Sequence, residues 1–459
     1  NPLRYYLADQ HVALGSLSMK LETSPREGLS GTLALSDLRV DTLRINSAQL
    51  NFSTERQTIA RGDSLSLVLF GTVMKSRYRS QEGFTISTDL RTSLQSGHLD
   101  FSWQDERGEV RHTAEVEGSW SGEAYQLHFI GDRLRLAYND YKINPENSLS
   151  LRKKDYFLLG SLQLAGEKRG EFSLLAEEST PGVQDITLGI HKLYLEDYRS
   201  LGLPDIGGIF FGDVHYQRKG DLSQQPTISG DLSIADLRYE DKKLGHFTSS
   251  LFYEPRSGDS HYITADIGYN GQSAMTIDGI YHPREKTSPL SGTLTLNAFP
   301  LELANPFLAA NATSLKGTAE GSIRLSGKLT EPLLSGKMNL SDAMVHLDSY
   351  GMHLVLDSMP VRMENSDIYF DHYAIRPSVD TKKAIYLDGS IRKSTTPQAT
   401  ASLRITSDEL TLLDEPRPRR DDQLLYGRII ASTNMNVSGP MTALRVRGGI
   451  NVLSGTSCT

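Results

Sequence analysis

Cysteine is almost absent: Cys458 is the single one in 459 residues. One thiol builds no internal disulfide, no Cys-based zinc site and no iron–sulfur cluster. Long apolar runs are absent too. The longest, such as Phe157-Leu158-Leu159-Gly160-Ser161-Leu162, fall far short of the roughly 18 residues of a membrane-spanning helix. Positive charge is in deficit, with a net charge of −8. That excludes a basic nucleic-acid footprint and argues against adsorption to anionic lipid surfaces as the main binding mode. Catalytic signatures are missing: no G-x-S-x-G elbow, no P-loop, no G-x-G-x-x-G after a strand and no H-E-x-x-H. The twelve histidines are scattered. His346 and His353 flank a turn with Asp371-His372 nearby, a pattern that fits solvent-facing strand residues better than a metal centre. Glu196-Asp197 carries no mark of a carboxylate pair across a cleft. Charge clusters occur at Asp105-Glu106-Arg107 and at 414–422, the latter broken by Pro416 and Pro418 and reading as an exposed loop. These absences predict a protein that is not an enzyme and that uses no cofactor and no metal.

What is present is alternation. Hydrophobic residues make up 38% of the chain, too many for disorder but lean for a thick core, so thin layers are expected. Period-two segments recur throughout: Leu33-Ala34-Leu35, Leu65-Ser66-Leu67-Val68-Leu69, Leu232-Ser233-Ile234, Leu294-Thr295-Leu296, Ile323-Arg324-Leu325 and Leu403-Arg404-Ile405. Each puts apolar side chains on one face of a strand and polar ones on the other. Turn clusters at Ser257-Gly258-Asp259, Tyr269-Asn270-Gly271 and Asp388-Gly389 divide the runs. Asn-Gly is a strong two-residue hairpin signal, so the strands are mostly antiparallel neighbours. Only two short helices are predicted, over Phe299 to Ala310 and Leu195 to Leu201. The fold class is all-β, with a few short helical inserts.

The alternation is organised in repeats. One phrase runs from Gly220 through Pro226 to Ile228-Ser229-Gly230-Asp231-Leu232-Ser233-Ile234-Ala235-Asp236. It returns from Gly327 through Pro332 to Leu334-Ser335-Gly336-Lys337-Met338-Asn339-Leu340-Ser341-Asp342, and again from Gly439-Pro440 to Gly448-Gly449-Ile450-Asn451-Val452. Gly230, Gly336 and Gly448 are 106 and 112 residues apart. A second landmark keeps step: apolar segments starting at Leu193, Phe299 and Leu410 precede Gly208, Gly317 and Gly427, which are 109 and 110 residues apart. A fainter echo spans Leu29 to Asp37, and a remnant lies between Gly97 and Gly122. The phrase reads as a strand, a Pro-containing turn, and a strand restarting at glycine. The predicted organisation is a diverged region over 1–183, units over 184–292 and 293–400, and a shortened unit over 401–459. At about ten residues per strand the chain would hold roughly 35–45 strands. At about 4.8 Å each they would form an elongated sheet on the order of 150–200 Å long. The start at Asn1 and the stop after Gly455-Thr456-Ser457-Cys458-Thr459 give the expectation of an internal portion of a longer protein.

Such a sheet buries its apolar face either in a closed sandwich or solenoid with a dry core, or in a trough left open for a ligand. Pattern alone leaves both open. The ordered phrases carry a resemblance. Phe299-Pro300-Leu301-Glu302-Leu303, then Leu315-Lys316-Gly317 through Gly321-Ser322-Ile323-Arg324-Leu325-Ser326-Gly327, then Pro332 to Leu340, resemble the TamB family within the AsmA-like superfamily of bridge-like envelope proteins. The resemblance extends over 184–459. It implies a curled sheet with a U-shaped hydrophobic groove, the β-taco. It also implies an inner-membrane anchor in the parent protein and a path through the periplasm of a diderm bacterium. The implied tasks are phospholipid transport to the outer membrane and support of outer-membrane protein assembly with a barrel partner of the TamA type. The family's C-terminal domain is expected to lie outside this segment, and contact with the barrel with it. On that reading the groove candidates are Leu232, Ile234, Leu294, Leu296, Ile323, Leu325, Met338, Leu340, Leu354, Leu356, Leu403 and Ile405, and the partners are phospholipid acyl chains. The alternative is a structural or adhesive β-repeat protein with a closed dry core.

Overall fold

A computed structural model describes residues 12–24, 28–40, 43–59, 62–78, 84–93, 95–130, 134–167, 169–197, 205–240, 242–307, 314–328, 330–347, 350–380, 382–396, 398–415, 417 and 426–458. The chain divides into two units, Asn1–Lys243 and Leu244–Thr459. Both are antiparallel meanders in which most strands pair with their neighbours in sequence.

The first unit holds β1 (Val12–Ser24), β2 (Gly28–Val40), β3 (Leu43–Ile59), β4 (Gly62–Tyr78), β5 (Phe84–Thr92), β6 (Ser96–Asp105), β7 (Val110–Trp120), β8 (Ala124–Phe129), β9 (Leu134–Leu136), β10 (Asn139–Ile143), β11 (Ser148–Arg152), β12 (Phe157–Gly166), β13 (Glu171–Thr180), β14 (Val183–Tyr194), β15 (Ile206–Lys219) and β16 (Thr227–Tyr239). Between β7 and β12 the strands shorten: β8 and β9 both pair with β7, while β11 and β10 both pair with β12. The second unit holds β17 (Lys242–Arg256), β18 (Ser260–Tyr269), β19 (Gln272–Tyr281), β20 (Leu290–Pro300), β21 (Ser314–Lys328), β22 (Glu331–Leu347), β23 (Met352–Leu356), β24 (Val361–Glu364), β25 (Asp367–Pro377), β26 (Ile385–Arg392), β27 (Thr400–Glu415), β28 (Gly427–Pro440), β29 (Arg445–Val452) and β30 (Ser457–Cys458). Here β23 and β24 both lie between β22 and β25.

The described residues form thirty strands, fewer than expected, because β3, β4 and β22 each run to 17 residues. The predicted helix over Phe299–Ala310 is a 3-10 helix over Leu301–Phe307. Phe299 and Pro300 finish β20 instead, and 308–313 lie outside the described residues. Pro306 supplies no N–H to continue a helix, and Asn305 ties the stretch to β21, accepting the Leu315 N–H at 2.6 Å and donating to the Leu315 carbonyl at 3.0 Å. Of Leu195–Leu201 only a 3-10 turn over 195–197 falls among the described residues. Asn270 (φ 49°) and Gly271 (φ 86°) make the hairpin turn their sequence signals, and Gly258 and Asp259 do the same between β17 and β18. Asp388-Gly389 is no turn. It lies inside β26, where a Cβ on Gly389 would meet the carbonyl oxygen of Ser402 at 2.1 Å.

The repeated phrase has a structural meaning that differs from the expected one. The first glycine ends a strand or lies next to its end with positive φ: Gly220 77°, Gly327 88°, Gly439 113°. The return strand starts before the second glycine, not at it. That second glycine answers close backbone approach. A Cβ would come within 2.9 Å of the Asp213 carbonyl oxygen at Gly230, 2.5 Å of Ser322 at Gly336 and 2.2 Å of Asn434 at Gly448. The phrase ends on an aspartate in the left-handed region, Asp236 (φ 51°) and Asp342 (φ 49°), and Asp37 (φ 47°) in the N-terminal echo matches them. Aspartate tolerates that region better than most side chains.

The second landmark is a bulge. Register shifts fall between Ile190 and Leu193, Leu296 and Phe299, and Ser407 and Leu410, immediately before each apolar segment. A positive-φ glycine then lies at or near the start of the next strand: Gly208 136°, Gly317 104°, Gly427 111°. At Gly317 a Cβ would sit 2.6 Å from both the Ala343 Cα and the Asp342 carbonyl oxygen, whereas at Gly449 nothing lies within 4 Å. Gly317→Ala is therefore expected to destabilise the second unit by about 2 kcal/mol or more, and Gly449→Ala by no more than about 0.5 kcal/mol. Chemical denaturation of the two variants measures this, and equal losses would refute the assignment.

Candidate functional site: the apolar face of each unit

Direct cross-strand pairing sorts the side chains of the second unit into rows. One row runs through Leu251, Ala265, Ile277, Leu294, Ile323, Gly336, Met363, Ile368, Ile391, Ala401 and Gly439. Every member is apolar or glycine. The adjacent row, one residue along each strand and so on the opposite face, reads Ser250, Asp266, Thr276, Thr295, Ser322, Lys337, Arg362, Tyr369, Ser390, Ser402 and Ser438. The second unit thus has one apolar and one polar face over ten successive strand pairings.

The first unit repeats the design. Ile143, Leu164, Phe172, Ile190, Gly212 and Leu232 pair in one row from β10 to β16. Leu162, Leu174, Leu188, Val214 and Gly230 form the next row on the same face. Leu134, Tyr141 and Ile143 are buried there, with Ala114, Phe129, Leu136, Leu162, Leu164 and Phe172 packed against them.

The structure puts the twelve groove candidates on these faces with unequal burial. Ile323 (4% exposed) and Leu340 (8%) are buried, while the other ten are half-buried. Leu294 pairs with Ile323, Leu325 with Leu334, and Leu403 and Ile405 with Val437 and Met435. Leu354 pairs with Val345 and Leu356 with Ile375. Leu232 and Ile234 belong to the first unit, opposite Gly212 and Phe210. Part of the second face is packed shut: Ala319, Leu340, Ala343, Val361 and Tyr373 are buried together, with Leu296, Met338 and Leu356 among the side chains against them. The Tyr373 hydroxyl donates to the Asp357 carbonyl oxygen at 2.5 Å. Burial, helped by the Asp357 charge, pushes the phenol up to about 12, so it stays protonated.

Sequence reasoning missed Tyr373, Val361, Met363, Ile368 and Ile391, although the same alternation marks β25 and β26. It also missed one end of the first unit's face, where His112 pairs with Trp103 with ring centroids 5.5 Å apart. His112 is 8% exposed, and burial, then the nearby Arg111 charge, pushes its imidazole down to about 4. The neutral ring accepts the Ala137 N–H at Nδ1 at 3.3 Å. Asp105, from the first charge cluster, is also buried. It accepts the Tyr138 hydroxyl and the N–H groups of Arg107 and Glu109, each at 2.9 Å. Burial alone would raise its carboxyl, but these hydrogen bonds and Arg111 outweigh it and hold it below the usual range. In the second cluster Glu415 is buried at the end of β27, and 416 and 418–422 lie outside the described residues.

Among the described residues no group of three or more His, Cys, Asp or Glu is arranged to hold a metal ion, and no helix is long and apolar enough to cross a membrane. What the geometry defines is a class: repeat-built antiparallel β proteins in which each unit carries continuous apolar rows across many strands on one sheet face. Within that class, residues 260–340 match the family model described as TamB, N-terminal domain, which supports TamB family membership for that stretch. The match runs from the start of β18 to Leu340 and contains six of the twelve candidates. No curated protein and no solved structure matches the chain.

His112 gives the first unit an acid limit. Its folded-state value near 4 lies below the ordinary 6.5, so protons favour the unfolded chain. Its stability contribution is complete above pH 6.5 and is lost as pH falls towards 4, by up to about 3 kcal/mol. His112→Phe should flatten the decline in unfolding free energy between pH 6.5 and 4, and an unchanged slope would exclude His112 as its source.

Proposed function

We propose that this chain is a non-enzymatic, TamB-like segment whose apolar faces carry phospholipid acyl chains across the periplasm of a diderm bacterium, in a parent protein anchored in the inner membrane. The observation that carries the reading is the row from Leu251 to Gly439: unbroken by any polar residue, yet exposed at Leu251 and only half-buried at Leu294, Met363 and Ile391. A closed dry core would bury such positions. A lipid chain of about 15 methylenes loses roughly 12 kcal/mol on entering water, at about 0.8 kcal/mol per methylene. A continuous apolar face removes most of that barrier. The lipid-lining role falls to the half-buried candidates Leu232, Ile234, Leu294, Leu325, Leu354, Leu403 and Ile405. Leu296, Ile323, Met338, Leu340 and Leu356 are buried or packed on the closed cluster and support the same face. Residues 184–292, 293–400 and 401–459 are read as successive units, a reading supported by the shared order of bulged strand, short connection, strand with a positive-φ glycine near its start, and hairpin. Support of outer-membrane protein assembly, with a TamA-type barrel engaged by parts outside this segment, belongs to the same proposal.

The test separates an open face from a dry core. In Leu294→Asp with Leu403→Asp the strands are expected to remain by circular dichroism, while phospholipid co-purifying with the chain, measured by mass spectrometry, falls several-fold. Leu340→Asp, inside the packed cluster, should unfold its surroundings instead. If the double variant unfolds like Leu340→Asp, the structural or adhesive reading with a closed core takes over. If it folds with lipid unchanged, acyl-chain carriage on this face is wrong.

A further inference from the structure

The β22–β23 hairpin brings together two metal-ligating side chains that the apolar face does not use. His346 and His353 are direct cross-strand partners. Their Nδ1 atoms lie 2.9 Å apart, with ring centroids at 4.5 Å and planes at 72°. Val345 and Leu354, one residue along each strand, pair with each other on the opposite, apolar face. The other histidine of the sequence cluster does not join them: His372 stacks on Tyr386 at 3.9 Å, and its backbone N–H donates to the Asp388 carboxylate.

We propose that His346 and His353 form a two-nitrogen site for a divalent transition-metal ion of the copper or nickel type. At metal–nitrogen distances of about 2.1 Å, nitrogens this close subtend an angle near ~90°. That is the cis angle of square-planar and octahedral coordination, which copper(II) and nickel(II) favour; tetrahedral zinc requires the nitrogens farther apart. The present Nδ1···Nδ1 hydrogen bond uses one donor and one acceptor. In the metal-bound form both rings ligate through Nδ1 and keep their remaining proton on Nε2. The ring that now donates shifts its proton from Nδ1 to Nε2, so a neutral pair binds without net proton loss and a singly protonated pair releases one proton. Among the described residues no third His, Cys, Asp or Glu is grouped with the pair, so the pair supplies two protein ligands. Affinity should therefore lie well below that of a three-ligand site. The bound ion would clamp the hairpin that presents Leu354.

Titration of the chain with copper(II) and, separately, nickel(II), followed by visible absorption and electron paramagnetic resonance for copper, tests the site. One equivalent should bind with a nitrogen-ligand signature at pH 7.5, weaken at least tenfold at pH 5.5, and disappear in His353→Asn. Circular dichroism establishes that the variant is folded. His372→Asn, at the histidine outside the pair, should bind like the parent. If His353→Asn unfolds, His346→Gln provides the same comparison. Equal binding by parent and folded pair variants, or tighter binding of zinc than of copper, overturns the proposal.

Discussion

The structure depends on cross-strand register. Side chains alternate strictly along a strand, so slipping one strand by one residue transfers its whole apolar set to the polar face. The row from Leu251 to Gly439 requires ten successive pairings to stay in phase. Nearest-neighbour antiparallel pairing makes that attainable, because each hairpin turn sets the register of the next strand locally. Asn270-Gly271 fixes β18 against β19 in this way, with Tyr269 opposite Gln272.

Register alone would fail where the apolar pattern itself skips, and there the chain uses bulges. In β22 the alternation Met338, Leu340 breaks to Ala343, Val345, Leu347. The left-handed Asp342 absorbs the extra residue, since Thr318 and Lys316 pair with Ser341 and Met344. Leu315 opposite Val345 then stays on the same face as Ala319 opposite Leu340. Asp236 performs the same correction in β16, where Ile209 and Gly207 pair with Ala235 and Arg238. These bulges recur because a repeat that shifted faces at each unit could not maintain a continuous surface.

The sequence made this architecture legible at two levels and hid it at a third. Alternation declared the strands and their apolar faces, so all twelve groove candidates fall on apolar rows. The periodic glycines declared the repeat. Their roles were misread because glycine signals both turns and close approach: Gly389 resembles a turn beside Asp388 yet lies mid-strand under the Ser402 carbonyl. Depth within the face was not legible. Leu340 and Leu325 carry the same pattern, but only Leu340 lies under Val361 and Tyr373. Those side chains come from β24 and β25, which fold back beside β22 through pairings that no local sequence signal announces. The burial of His112 and Asp105 was hidden for the same reason: Tyr138 and Ala137, which bond them, arrive from the turn between β9 and β10.

The half-burial of the remaining face is the physical fact that a functional account must meet. Monomeric soluble proteins rarely expose contiguous apolar patches beyond a few hundred Å² without using them. Buried apolar area contributes about 25 cal/mol per Å², so leaving a row of leucines and isoleucines partly wet forgoes stability that covering helices or a second sheet would provide. Among the described residues, however, the second unit offers as cover only the 3-10 helix Leu301–Phe307, whose Leu301 packs on the closed cluster. The opposite face is densely polar, with Lys337 and Arg362 paired across β22 and β24, and keeps that side in water. A sheet with one face committed to solvent and the other only partly covered is suited to an apolar ligand that enters and leaves, because a fully packed core would admit none. The same half-covered state makes the packed cluster around Tyr373 necessary: a local dry core holds the strands in register where the rest of the face remains accessible.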